Sequence, residues 1–93
     1  AEAQFNLAVM YENGDGTLRD YKEAVKWYTK AAEQGDADAQ VNLALKYISG
    51  QGTLKDLSQA RFWIQKAYDN QNISASSKVA AEKIWNKFEL WKY

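Results

Sequence analysis

Ninety-three residues, 46% of them hydrophobic and 14% aromatic, make one small domain with enough apolar surface for a core, which excludes a disordered chain. Twelve basic and twelve acidic side chains cancel, so no global field draws the chain to nucleic acid or an anionic membrane, and no apolar run is long enough to span one. His and Cys are both absent, which removes the usual general bases, the thiol nucleophile, disulfides and most transition-metal sites together. The compartment stays open between cytoplasmic and exported, because a chain without cysteine fits either.

Overlaid, residues 1–36 and 37–72 agree at 16 of 36 positions, and many of the matches are small, aromatic and glycine positions. A period of this length is the signature of a stack of helix pairs. In chain order, Ala3, Leu7, Ala8 and Tyr11 recur at helical spacing and predict a first helix, which Gly14 stops with its freedom at positive φ. Asp20 with Glu23 three residues on predicts a reciprocal cap for a second helix, whose inner stripe is Ala24, Trp27, Tyr28 and Ala31. Gln34-Gly35-Asp36 makes a turn. The second unit repeats the plan with Ala39, Leu43, Ala44 and Tyr47, then Gly50, then Asp56 with Gln59, then Ala60, Trp63, Ile64 and Ala67. Gln71 replaces the closing glycine there, so Asn70 or Asn72 is expected in the left-handed conformation. From Ser74 to Trp91 the apolar positions Ala81, Ile84, Trp85, Phe88 and Trp91 predict one longer amphipathic capping helix.

The expected fold is all-α: an α-solenoid of antiparallel helix pairs forming a single repeat domain over 1–93. It divides into repeat one (1–36), repeat two (37–72) and a capping helix (73–93). Nothing in the chain covers the outer side of the first helix, so these residues are expected to be the C-terminal part of a longer array.

The string A-x-A-Q-x-x-L-A-x-x-Y-x-x-G-x-G-T-L-x-D-x-x-x-A-x-x-W, followed by the run from Lys30 to Gln40, resembles the Sel-one-like repeat, a relative of the tetratricopeptide repeat. Ala8 and Ala44 stand where that family often has Gly, as does Gln71. The resemblance implies a right-handed superhelix used mainly as an adaptor for other proteins, with examples in bacterial surface, secretion and signalling settings.

Other motifs fail on their chemistry. The Gly14-Asp15-Gly16 and Gly50-Gln51-Gly52 pairs lack the third glycine of a nucleotide loop, with Arg19 and Lys55 in its place. A calcium loop starting at Tyr11 would need carboxylates where Tyr11 and Lys22 stand. Asn72-Ile73-Ser74 matches a glycosylation sequon, a short pattern common by chance. Asp20 and Asp56 repeat as helix caps, and the Trp27/Trp63 and Tyr11/Tyr47 columns read as core. No catalytic residue, cofactor or metal site is expected.

The functional signal lies on the first helix of each unit. Phe5 and Val9, and in the next unit Val41 and Leu45, form apolar pairs apart from the core stripe, with Asn6 and Asn42 free to bond a backbone. With Glu2, Glu12, Asp38 and Ile48 at the margins, they predict a concave groove for a protein or peptide ligand, the acidic rim favouring a basic one. Packing between units is the competing reading for Val41 and Leu45. The leading function is a non-enzymatic interaction scaffold. The alternatives are a structural module self-associating through its uncovered end or through Trp85, Phe88 and Trp91, and an inhibitor or immunity-type protein that masks an enzyme or toxin.

Overall fold

The computed structural model describes residues 2–93, which form α1 (Glu2–Asn13), α2 (Tyr21–Glu33), α3 (Ala37–Ser49), α4 (Leu57–Tyr68), α5 (Ala75–Lys87) and a closing 3-10 turn, Leu90–Lys92. The chain is an all-α helical repeat stack, with α1–α2 and α3–α4 as its two pairs and α5 laid against α3 and α4.

Four of the helices start on side-chain caps. Oδ1 of Asp20, Asp36 and Asp56 accepts the backbone N–H three residues on, each at 3.1 Å, and Ser74 Oγ does the same for Ser77 at 3.2 Å. Each such cap contributes about 1 kcal/mol. Only this forward half of the expected reciprocal cap forms, since Glu23 turns toward Lys26 (3.9 Å). Gly14 and Gly50 sit at φ 76° and 73° and end α1 and α3. The loops then tie back identically, with Asp20 N–H donating to Tyr11 O and Asp56 N–H to Tyr47 O, both at 2.9 Å. This backbone closure explains why one loop sequence serves both units.

Two expectations about the end of the chain are corrected. Neither Asn70 nor Asn72 is left-handed; the single non-glycine residue at positive φ among the described residues is Glu89, at 51°. Asn70 acts through its side chain instead: Oδ1 accepts Asn72 N–H at 2.8 Å, and Nδ2 donates to Gly35 O at 2.8 Å. The loop after the second unit therefore leans on the loop after the first. The capping helix also stops at Lys87, short of Trp91. Glu89 reverses the chain at a local cost of about 1–2 kcal/mol, and the reversal buries Leu90 completely against α4 and α5, which returns about 2 kcal/mol. Arg61 Nη1 donates to Tyr93 O at 2.6 Å across the same fold-back.

The core is largely alanine. Ala8, Ala24, Ala31, Ala32, Ala39, Ala44, Ala60, Ala67 and Ala81 are fully buried, which lets helices approach closely around Tyr28, Leu43 and Ile64. Between the units, Gln40 Nε2 donates to Ala32 O in the last turn of α2 at 3.0 Å. The α3–α4 loop also crosses the start of α2 so closely that a Cβ on Gly52 would overlap the Tyr21 carbonyl and stand 3.0 Å from Lys22 N. Gly16, in the same column of the first unit, has open space around it. None of the described helices is long and apolar enough to cross a membrane.

Candidate partner-binding face

The opening helices of successive units share one side of the molecule. A groove of about 450 Å³ runs between them, floored by Phe5 from α1, Val41 and Leu45 from α3, and Ala80 and Ile84 from α5. Phe5, Val41 and Ser77 occupy one column at the 36-residue spacing, so each helix brings the same position to the groove. Asn42 and Asp38 from α3, with Ser74, Ser76 and Ser77 at the start of α5, supply its polar rim. Ser77 Oγ donates to Asp38 Oδ1 and fastens α5 to α3 there.

Of the residues expected on this face, Phe5, Val41, Asn42 and Leu45 come together in the groove. They differ in what they present. Leu45 is 38% exposed, whereas Val41, at 6%, is mainly packed between units. Phe5 is half-buried and packs edge-to-face on Tyr28, ring centroids 5.8 Å apart. Asn6 is exposed on α1 and Val9 half-buried against the core, and neither lines the groove. Ile48, expected at the margin, is core at 8% exposure. Its position at the end of α3 turns it inward, which removes it from the set.

Glu12 is the second correction. Instead of a free acidic margin, it is the centre of a junction between three helices. Its Oε2 accepts from Lys46 Nζ on α3 at 2.7 Å and its Oε1 from Tyr28 Oη on α2 at 2.7 Å. Lys46 is buried at 6% exposure, and its ammonium also donates to Gln51 Oε1 at 3.2 Å and stands 5.2 Å from the Tyr21 ring centroid. Burial opposes ionisation of Glu12, but the hydrogen bonds from Lys46 and Tyr28 and the Lys46 charge outweigh it and hold the carboxyl below its ordinary 4.5. Burial, then the hydrogen bond to Glu12 and its negative charge, push the Tyr28 hydroxyl well above its usual range, so it remains a donor. Each charged group here is bound to another, which makes the cluster a brace between units.

Lys46 and the α5 wall are what sequence reading missed. The signal for Lys46 lay in two variable columns: Met10 against Lys46, and Glu12 against Ile48, an apolar-to-charged change matched by its reverse two positions on. The α5 wall was visible in Ser77, which continues the Phe5/Val41 column.

The Sel1 repeat family profile matches residues 1–36 and 37–72. The crystal structure of a Sel1 repeat protein from Oxalobacter formigenes superposes with a TM-score of 0.78 at 36% sequence identity, covering 90% of this chain. This chain spans 33% of that one. Functionally curated proteins yield no match.

Proposed function

The chain belongs to the Sel1 repeat family, whose repeats are generally protein–protein interaction modules, and we propose that it seats a protein segment in the groove between α1, α3 and α5. Leu45 carries this reading: a large apolar side chain left 38% exposed on a largely buried helix, in a groove with an apolar floor and a hydrogen-bonding rim. The ligand is a segment with an apolar anchor over Leu45 and a basic residue toward Asp38, bound without chemical conversion. A few anchors of this kind supply most of the affinity in such interfaces.

The test compares capture of protein from source-cell lysate by the parent, by Leu45→Asp and by Phe62→Asp, which alters an exposed aromatic on α4 outside the groove. Folding of each is checked by circular dichroism. A protein kept by the parent and Phe62→Asp but lost by Leu45→Asp supports the groove. One lost by Phe62→Asp and kept by Leu45→Asp moves the site to α4 and overturns it.

Self-association is the second reading, and the residue that favours it is Trp91, the most exposed of Trp85, Phe88 and Trp91; the other two are half-buried. Sedimentation at rising concentration, with and without Trp91→Ser, separates the two readings.

A further inference from the structure

We infer that the cleft between α4 and α5 is a second binding site, one that takes a lysine or arginine side chain from a segment of a partner protein. The cleft shares no residue with the groove, which takes Ser77, Ala80 and Ile84 of α5 where the cleft takes Ala81, Glu82 and Trp85, so its occupancy does not depend on the groove's.

The junction between the two units shows what such a place holds. There Tyr28 Oη donates to Glu12 Oε1 and the Lys46 ammonium to Glu12 Oε2, both at 2.7 Å, and the Tyr21 ring centroid lies 5.2 Å from that ammonium. At the junction of α4 with α5 the same kinds of group recur on different residues. Tyr68 Oη donates to Glu82 Oε1 at 3.1 Å, and the Asp69 carboxylate and the Trp85 ring line the same cleft. Glu82, however, stands in the Lys46 column, so a carboxylate arrives where the first junction has its cation. Among the described residues no cation pairs with Asp69 or Glu82. Lys78 and Arg61 stand 5.0 and 6.0 Å from the ring centroids of Tyr68 and Trp85, and neither lines the cleft.

Space and charge then select the occupant. A cavity of about 460 Å³ opens over Ile64 and Ala81, both buried, and this apolar floor suits an aliphatic stem. Asp69 and Glu82 are its charged lining. Asp69 is also the C-cap of α4, where its charge meets the negative end of the helix and is relieved by a cation. The faces of Trp85 and Tyr68 attract the same sign. A basic side chain satisfies floor, rings and carboxylates together, as Lys46 does between the units, whereas a neutral or acidic one meets the floor alone. The cavity is larger than one side chain fills, which leaves room for the backbone on either side and assigns the cation to a protein segment.

The test titrates the isotope-labelled 93-residue chain with three probes, read by heteronuclear NMR at the Trp85 indole N–H and the side-chain amides of Gln65 and Asn86. The probes are the end-blocked peptide Ala-Leu-Arg-Leu-Ala, the same peptide with Gln in place of Arg, and n-butylguanidinium. The Arg peptide is expected to give saturable shifts at all three groups and to bind about fivefold or more tighter than either other probe. Glu82→Gln is expected to weaken it by about fivefold, whereas Glu33→Gln, the same change of charge on exposed α2 surface, leaves it within about twofold. Absence of saturable shifts at these groups overturns the inference, as does equal binding of the Arg and Gln peptides or equal loss in the two variants. Butylguanidinium binding as tightly as the Arg peptide makes the cleft a site for a free organic cation, and shifts that grow with protein concentration alone fill it with a second copy; either result overturns the assignment to a partner segment.

Discussion

Between α2 and α3 the units meet through polar groups that are nearly all matched, while between α4 and α5 the same columns hold Ile48, Ile64 and Glu82. At the first junction the charged pair is closed in by three helices. At the second, Glu82 turns out to the Tyr68 hydroxyl, 3.1 Å away, and a cavity of about 460 Å³ opens in the seam between Ile64, Tyr68, Ala81 and Trp85. The invariant columns give both junctions their helices and turns. The variable ones decide how tightly each closes and which neighbour it accepts.

The largest effect expected is at the glycine column. Gly52→Ala forces its methyl into the Tyr21 carbonyl at a left-handed backbone, and should destabilise by about 3 kcal/mol. Gly16→Ala meets only the backbone cost, about 1 kcal/mol, so the two urea midpoints separate clearly. Next is Lys46→Ala, which strands Glu12. Because the Glu12 side chain is 29% exposed, the loss is set at about 2 kcal/mol, below the range for a fully buried pair. Replacing the whole cluster with the apolar residues found elsewhere in its columns, Glu12→Ile with Tyr28→Ile and Lys46→Met, should instead return to within about 1 kcal/mol of the parent.

Smaller still is Gln40→Ala, about 1 kcal/mol from the lost bond to Ala32, against no measurable change for Gln4→Ala in the 93-residue chain. The finest test is acid. The Glu12 carboxyl lies below its ordinary 4.5 in the folded chain, so its stabilisation is complete above that pH and drains as pH falls through the lowered value. Acid unfolding of the triple variant should lack this component, and an unchanged profile would remove Glu12 from the account.

Much of the fold was legible because its signals are local. Caps at Asp20 and Asp56, glycine stops at Gly14 and Gly50, and the alanine stripes all act within a turn or two of where they are read. The miss at Asn70 came from a contact 35 residues away, its side chain reaching Gly35 O. The miss at the end of α5 came from Leu90, whose burial site exists only once α4 and α5 are packed. The groove was half legible for the same reason. Phe5, Val41, Asn42 and Leu45 announce a face by their spacing, but whether a side chain at that face is lining or filling depends on the next helix over. Glu12 and Ile48 were placed outside by spacing and taken inside by Lys46 and by the close of α3.

The contact of Gly52 with Tyr21 also bears on how such a chain lengthens. A duplication of 36 residues copies the glycine of one unit together with the helix start that the next unit's glycine will touch, wherever the copied segment is cut. Each new unit therefore arrives with both halves of its joint. The residue this joint constrains most is the one with no side chain, because the atom it must not collide with belongs to the neighbouring unit.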